Sequence, residues 1–407
     1  MDASPIQTSA AADDPAEVSV VIPCLNEAAS IAFCIDKARA AFAAAGVRGE
    51  VVVADNGSTD GSIEIAHEHG ARVVQVEAKG YGNALRKGIE EARGEFIIMG
   101  DADDSYDFSE VPRFIAKWRE GYELVMGNRF KGEIKRGAMP WLHQHFGNPA
   151  LSKAINLLFH APVGDAYCGM RGFAKQLYQR VGLRTTGMEF ALELAIKAAK
   201  VGAKITEIPI TLWPDKRGRP PHLRTFYDGW RSLRFILLLA PNWLFLYPGG
   251  FLLAAGASIV FWLLPGPQKV GRVIFDVHTM LFGMIFVLLG AEIISTGLFA
   301  KVFSYSERFD RQQRSLERLF SNFRLEHGLL AGGILALLGF TGDTAIFVKW
   351  AETNFGPFHD VRSVIFFSLW FFLGVQTIFS SFFISMLGIS RGTYIGDYDM
   401  RPRGPAR

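Results

Sequence analysis

Four aspartates lie close together after one apolar run of the sequence. Asp101, Asp103, Asp104 and Asp107 all fall within "GDADDSYDF", directly after "EFIIM". Like charges held this close raise one another's pKa and cost stability unless water or a cation relieves them. Carboxylate oxygens are also the ligands that Mg²⁺ and Mn²⁺ prefer, and an ion held by two of them can neutralise a diphosphate. The pattern therefore predicts either a solvated turn or a metal site at Asp101 and Asp103.

Further polar side chains follow two other apolar runs. Asp55 comes directly after "VVVA", and Glu27 follows "VVIPCLN". Either carboxylate can accept hydrogen bonds from a base or a ribose hydroxyl. Lys79 begins the glycine-rich "KGYGNALRKG", whose helix entry suits a phosphate group. Each of these signals is by itself as consistent with an ordinary loop as with a binding site.

The elements around these residues indicate where they meet. Short Val- and Ile-rich runs that hardly alternate are typical of strands buried on both faces. Such runs cover residues 18–23, 50–56, 71–76, 95–101 and 123–128. Helical patterns lie between them, at about 27–45, 60–69, 80–93 and 109–120, with Asp60 and Ser109 as expected N-caps. This alternation predicts a mostly parallel α/β sheet, whose ligands bind beyond the carboxyl ends of the strands. Asp55, Asp101 and Asp103 fall at that edge.

The stretch from residue 129 to 240 is less regular. Residues 164–173 are rich in turn formers, 187–202 predict a helix, and 204–212 predict another strand. A basic amphipathic helix is predicted over 222–240, directly before an apolar run. Such a helix suits the membrane interface, although an ordinary surface helix would show the same pattern.

Four later stretches are each long and apolar enough to cross a bilayer as a helix. They cover about 241–264, 273–300, 327–348 and 363–388. Positive charge is concentrated in 301–326 and in the tail, so both termini are expected in the cytoplasm. The expected order is a disordered lead (1–16), a soluble domain (17–221), the interfacial helix (222–240), a transmembrane domain (241–390) and a cytoplasmic tail (391–407).

The N-terminal residues and the composition indicate the cellular location of the soluble domain and the partners it is not expected to bind. The N-terminal residues contain neither the basic nor the apolar stretch of a signal peptide. The soluble domain is therefore expected to stay in the cytoplasm, at the inner (plasma) membrane. The chain has three cysteines, too few for a disulfide framework, which fits a reducing compartment. The soluble part shows no basic surface interleaved with aromatic residues, so nucleic acid is not an expected partner.

Several motifs in order carry a family resemblance. They are "VSVVIPCLNE", "VVVADNGSTDGS", "KGYGNALRKGIEEARGEFIIMGDADDSYDF", "VMGNRF" and "GDAYCGMRGF". Over about residues 17–235 the chain resembles the family 2 glycosyltransferases of the GT-A fold. More narrowly, it resembles the polyprenyl-phosphate glycosyltransferases, which include dolichol-phosphate mannose and glucose synthases. The resemblance implies a Rossmann-like α/β catalytic domain followed by membrane helices.

The resemblance also implies roles for individual residues. The implied nucleotide-binding set is Pro23, Asn26, Glu27, Asp55 and Lys79, together with Asp101 and Asp103. Asp101 and Asp103 would hold Mg²⁺ or Mn²⁺ and the diphosphate. The implied catalytic set is Asp103, Arg129, Asp165 and Arg217, the two arginines facing sugar-phosphate or lipid-phosphate groups. The family's Ser-Gly-Phe-Arg segment reads Cys-Gly-Met-Arg here, and His222 or Arg224 stands where the family often has a lysine.

The implied reaction moves a hexose from a nucleotide sugar, of the UDP-glucose or GDP-mannose type, to a polyprenyl phosphate with inversion. Two alternatives stay open. One is a processive polysaccharide synthase, although the Arg-Trp pair typical of those enzymes is absent from the sequence. The other is a catalytically silent membrane scaffold that binds a nucleotide sugar. Association into a homo-oligomer through the membrane helices is also expected.

Overall fold

A computed structural model describes residues 16–216, 225–306 and 325–389. The chain forms two compact units, which meet in the sequence between Ile236 and Leu237.

The first unit is built around a seven-stranded sheet. Its strands are β1 (Val18–Cys24), β2 (Gly49–Asp55), β3 (Arg72–Gln75), β4 (Phe96–Met99), β5 (Leu124–Ile134), β6 (Arg171–Ala174) and β7 (Ile205–Leu212). The strand order is β3-β2-β1-β4-β6-β5-β7. Only β6 runs antiparallel to its neighbours, between β4 and β5. The predicted mostly parallel α/β sheet is confirmed, and the strand of this sheet that the sequence did not predict is β6.

Helices follow most strands, as parallel pairing requires a crossover connection. They are α1 (Ile31–Ala45), α2 (Ser62–Glu68), α3 (Tyr81–Glu91), α4 (Val111–Arg119), α5 (Asn148–Phe159), α6 (Lys175–Val181), α7 (Phe190–Lys200) and α8 (Thr225–Leu238). Two expected N-caps differ in detail. Asp107, not Ser109, caps the 3-10 turn before α4, because its side chain accepts the Ser109 N–H. Gly61 is the N-cap position of α2. Asp60 precedes it by one residue, and its side chain accepts the Ser62 N–H.

The central strands β1 and β2 are mostly apolar and end at the same level. Val20 and Ile22 of β1 are buried, as are Val51 and Val53 of β2. The pairing places Cys24 opposite Asp55 at the ends of β1 and β2. Because β4 extends the sheet on the other side of β1, the chain order reverses there. In sheets of this kind a ligand crevice opens at such a reversal, beyond the carboxyl ends of the strands.

Among the residues that the structure describes, the second unit contains four helices long and apolar enough to cross a membrane. The apolar segments are Asn242–Leu263, Val277–Ser304, Leu325–Glu352 and Val361–Leu387. We number the corresponding helices α9 (Tyr247–Leu263), α10 (Val277–Ser306), α11 (Leu325–Glu352) and α12 (Val361–Ile389). A short hairpin, β8 (Gln268–Val270) and β9 (Val273–Phe275), joins α9 to α10. The predicted transmembrane domain of about four helices is confirmed, and the protein is a multi-pass membrane protein.

Two side-chain hydrogen bonds link helices of this unit. The Ser368 hydroxyl donates to Asp343 at 2.9 Å, which links α11 to α12. The Gln376 amide donates to Glu292 at 2.7 Å, which links α10 to α12. Hydrogen bonds between helices relieve the cost of polar groups in an apolar surround.

Candidate active site

The turns that follow β1 and β2 are joined by hydrogen bonds. The Asn26 N–H donates to the Ser58 hydroxyl at 2.9 Å, and the Thr59 N–H donates to the Asn26 side-chain oxygen at 2.8 Å. Asn26 has a φ of 58°, a left-handed conformation that asparagine tolerates better than most residues. The Glu27 N–H donates to the Ser62 hydroxyl at 2.8 Å. These bonds bring Asn26 and Glu27 to the same edge as the end of β2.

Asp55 is buried at that edge and closes its own turn. Its carboxylate accepts the N–H groups of Gly57, at 2.9 Å, and Ser58, at 3.1 Å. Pro23, the penultimate residue of β1, lies beside Ala54 in the neighbouring strand. The predicted nucleotide-site residues of the first two strands therefore lie at one edge, and Asp55 holds the turn that follows β2.

Lys79 and the start of α3 are attached to the same turn. The Lys79 ammonium donates to the backbone carbonyl of Asn56 at 2.6 Å, and the Gly80 N–H donates to the Asn56 side chain at 2.7 Å. The Asn56 amide in turn donates to the carbonyls of Val76 and Ala78. Asn56 thus connects the turn after β2 with the segment that leads into α3, and this places the Lys79 charge at the carboxyl edge of the sheet.

The acidic turn after β4 contains two carboxylates in fixed positions. Asp101 accepts a hydrogen bond from the Tyr81 hydroxyl at 2.9 Å. The pKa of Tyr81 is raised well above its usual value, first by burial and then by the Asp101 charge, so the phenol stays protonated and donates. Asp103 is only 3% exposed, and its Oδ1 atom accepts the Ser105 N–H at 3.0 Å and the Ser105 hydroxyl at 2.6 Å.

These two carboxylates suit a divalent cation that a substrate helps to hold. Within residues 16–216, 225–306 and 325–389, no group of three or more His, Cys, Asp or Glu side chains is placed to hold a metal. Mg²⁺ is commonly held by one or two carboxylates, with substrate phosphates and water completing its shell. A pair of hard oxygen donors beside a crevice fits that pattern. Asp101 and Asp103 are therefore the residues that would hold the ion.

Arg129 and Asp165, which the sequence predicted as separate catalytic residues, form one buried ion pair. Arg129, at the middle of β5, donates from Nε to Asp165 at 2.6 Å and from Nη2 at 2.8 Å. Its backbone N–H donates to the same carboxylate at 3.1 Å. Asp165 is fully buried and Arg129 is 7% exposed. The pair fixes the orientation of the guanidinium, which stays charged.

Glu207 of β7 supports this pair and was not predicted from the sequence. Its Oε1 atom accepts the N–H groups of Gly164 and Asp165, and its Oε2 atom accepts from Asn128 and Lys131. It therefore holds the loop that carries Asp165 and the residue next to Arg129. The available signal was weak: one acidic residue within the predicted strand "KITEIPITL".

Arg171, at the start of β6, is a second residue that the predicted site set omits. It is fully buried and donates to the backbone carbonyls of Ala166, Cys168 and Ala191. Burial lowers the pKa of its guanidinium. The loop that it holds also contacts the acidic turn, because the Gly169 N–H donates to the Tyr106 hydroxyl at 2.8 Å. The buried Arg171 thus holds the loop that contacts the acidic turn, and it does not itself face a ligand.

The remaining residues are placed as follows. Arg217, His222 and Arg224 lie outside the described residues. The three cysteines are buried free thiols. Burial raises the pKa of Cys24 to about 11 and the pKa values of Cys34 and Cys168 to about 12.

Comparison with family models matches both units. Residues 19–182 match the model described as glycosyl transferase family 2, and residues 298–388 match the family 2 C-terminal transmembrane region. One solved structure, glucosyl-3-phosphoglycerate synthase from Mycobacterium tuberculosis with Mn²⁺ and UDP, is 22% identical with a TM-score of 0.41. The match covers 55% of this chain and 78% of that chain.

Several curated proteins are similar over much of their length. The low-salt glycan biosynthesis hexosyltransferase Agl6 of Haloferax volcanii is 37% identical over 93% of this chain and 91% of its own. A dolichyl-phosphate hexose transferase of the same organism is 36% identical over 40% of this chain and 69% of its own. An undecaprenyl-phosphate 4-deoxy-4-formamido-L-arabinose transferase of Salmonella paratyphi A is 28% identical over 78% of this chain and 94% of its own. This chain belongs to family 2 of the glycosyltransferases, as a membrane enzyme with a GT-A domain and a C-terminal transmembrane region.

Proposed function

We propose that the enzyme transfers a hexose from a nucleotide sugar to a polyprenyl phosphate. The products are a polyprenyl-phosphate sugar and a nucleoside diphosphate. The observation that carries this proposal is the pair Asp101 and Asp103 at the carboxyl edge of the sheet, in a chain that also crosses a membrane. The names of two relatives, a dolichyl-phosphate and an undecaprenyl-phosphate transferase, support a lipid phosphate as the acceptor.

The donor is assigned to the edge formed by β1, β2 and β4. Pro23, Asn26, Glu27 and Asp55 line the nucleoside side, and Lys79 lies where a phosphate would enter. A divalent cation, Mg²⁺ or Mn²⁺, would be held by Asp101 and Asp103 and would neutralise charge on the departing diphosphate. Both UDP-glucose and GDP-mannose types of donor fit this assignment.

The acceptor phosphate needs little activation by the protein. A phosphate monoester has a second pKa near 6 and is largely dianionic at neutral pH. Its oxygen can therefore attack the anomeric carbon directly, opposite the leaving diphosphate, and this inverts the configuration. The main role of the protein in this step is to position positively charged groups near the reacting phosphates. Arg129, oriented by Asp165, is one positioned cation, and Arg217 is assigned the same role.

The membrane unit brings the active site to an acceptor dissolved in the bilayer. We place the catalytic domain (17–221) and both termini in the cytoplasm, with the chain in the inner (plasma) membrane. Residues 222–240 are assigned to the membrane interface. Under this arrangement, the hairpin between α9 and α10 and the connection between α11 and α12 lie on the opposite side of the membrane.

The test is transfer of label from a nucleotide sugar into lipid. Purified protein in detergent would receive a short polyprenyl phosphate and, in turn, radiolabelled UDP-glucose, GDP-mannose and related donors. The proposal predicts organic-phase label from one donor, present with Mg²⁺ or Mn²⁺ and lost with chelator. Retained nucleotide binding without transfer from any donor would favour a silent scaffold. Long polymeric product would instead indicate a processive synthase.

A further inference from the structure

The third aspartate of the acidic turn, Asp104, is arranged differently from Asp101 and Asp103. Asp104 has a φ of 57° and is 4% exposed. Its two oxygens are each paired with a lysine: Lys37 of α1 at 2.8 Å and Lys216 at 2.6 Å. A buried carboxylate that bridges two cations from distant parts of the chain is not a solvated turn residue.

The lysine that follows β7 is joined to the acidic turn by its backbone as well. The Lys216 N–H donates to the Asp103 carbonyl at 3.2 Å, and the Trp213 N–H donates to the Ser105 carbonyl at 2.9 Å. The Lys216 ammonium also lies 4.6 Å from the centre of the Phe33 ring. The segment 213–216 is thus attached along the very turn that carries Asp103.

The two lysines differ in how much they depend on Asp104. Lys37 also pairs with Asp107, at 3.6 Å. Within the part of the chain that the structure describes, the ion pair of Lys216 is with Asp104. Loss of the Asp104 charge therefore leaves Lys37 with a second partner and leaves Lys216 without a carboxylate there. The next residue after Lys216 is Arg217, which carries an assigned phosphate-binding role.

We propose that Asp104 is a positioning residue. Its ion pair with Lys216 fixes the segment 213–216, which directly precedes Arg217 in the sequence, to the acidic turn that carries Asp103. This inference rests on the proposed function only for the role of Arg217. The role of Asp104 in holding the segment is a separate claim, and it can be measured without transfer activity.

The decisive variant is Asp104→Asn in the full-length protein. Asparagine keeps the size of the side chain and is among the residues that best tolerate a left-handed backbone, so strain is not introduced. Hydrogen exchange in the peptide covering 213–216 should quicken, because the Trp213 and Lys216 amides lose their support. The KM for the lipid acceptor should rise by about tenfold, with a smaller change in kcat, because a charge-assisted contact is lost. The dissociation constant for UDP or GDP with Mn²⁺ should stay within about twofold.

Two further single variants and one double variant separate positioning from general damage. Lys216→Gln should reproduce the effects of Asp104→Asn, and the double variant should be no worse than either, since both remove the same ion pair. Lys37→Gln is the matched control, because it removes the other cation from the same carboxylate. It should leave exchange at 213–216 and the acceptor KM nearly unchanged.

Separate readouts tell the two claims apart. Unchanged hydrogen exchange at 213–216 in Asp104→Asn would overturn the role of Asp104, whatever the reaction. So would a double variant in which the effects of Asp104→Asn and Lys216→Gln add. Equal loss of nucleotide binding and acceptor use would also overturn it. The wild-type protein could transfer no sugar from any donor while hydrogen exchange at 213–216 still quickens in Asp104→Asn. In that case the proposed function fails, and the role of Asp104 in holding the segment stands.

Discussion

Arg129 and Asp165 face each other side-on in the interior of the catalytic unit, with Nε–Oδ2 and Nη2–Oδ1 distances of 2.6 and 2.8 Å. Replacing Asp165 with Asn would leave a buried guanidinium without its counter-charge. Breaking a buried pair in this way costs about 3–5 kcal/mol. We expect a clearly lower unfolding temperature, and a transfer rate lower by about 100-fold because the misplaced cation no longer meets the phosphate.

An exposed ion pair provides the control for this variant. Arg119 and Glu17 lie 2.9 Å apart on the surface. Exposed pairs contribute about 0.2–1 kcal/mol, so Glu17→Gln should alter neither the unfolding temperature nor the transfer rate appreciably. Normal activity in Asp165→Asn, with the protein folded, would show that the pair has no part in the reaction.

Glu207 should matter for the rate without being near a substrate. In the Glu207→Gln variant the side chain keeps one acceptor oxygen, but its amide N–H₂ group replaces the other. This N–H₂ group then faces donors, which are either the loop N–H groups or the Asn128 and Lys131 side chains. Leaving a buried donor unpaired costs about 1–3 kcal/mol. We expect Glu207→Gln to slow transfer by about tenfold while UDP or GDP affinity is kept, because only the support of Asp165 is weakened.

Steady-state kinetics together with nucleotide binding would check this. Glu133→Gln is a suitable control, since Glu133 pairs with Lys135 at the exposed end of β5. If the effects of Glu207→Gln and Asp165→Asn simply add, the two residues act independently and the proposed support is wrong.

The position of the acidic turn was predictable, but the pairing of Arg129 with Asp165 was not. Periodicity identifies buried strands, and parallel strands bring their carboxyl ends to one edge, so Asp55 and Asp101 were both expected at that edge. Arg129 and Asp165 are 36 residues apart, and the strand that brings their segments together is β6. Its four residues, "RGFA", are too few to show a period, and β6 runs against its neighbours.

The acidic turn shows why composition alone does not assign roles. Asp101 faces a phenol, Asp104 faces two lysines and Asp107 caps a short helix. The sequence does not show these contacts, because the partners of Asp101 and Asp104 come from other elements. Only the folded structure shows which group each of these aspartates contacts.

The buried thiols should make the enzyme insensitive to alkylating reagents. The thiolate is the reactive form, and burial raises the pKa of Cys24 to about 11 and those of Cys34 and Cys168 to about 12. At about pH 8 the thiolate fraction of Cys24 would be on the order of one in a thousand. We expect iodoacetamide to leave transfer unaffected and to label the native protein far more slowly than the urea-unfolded protein. Rapid labelling of native Cys24 at that pH, followed by mass spectrometry, would contradict this placement.

Removal of one carboxylate from the metal pair should abolish transfer without unfolding the protein. Asp101→Asn and Asp103→Asn each take away a hard, charged ligand, so the leaving diphosphate would lose the stabilisation that the ion supplies. We expect transfer to fall by at least about 100-fold, and Mn²⁺-dependent binding of UDP or GDP to weaken in parallel. Asp107→Asn is the control within the same turn, because asparagine caps a helix nearly as well as aspartate. It should transfer normally, and chelator should reduce wild type and Asp107→Asn to the level of Asp103→Asn. Full activity of Asp103→Asn, or wild-type activity that survives chelation, would show that the two carboxylates do not hold a catalytic ion.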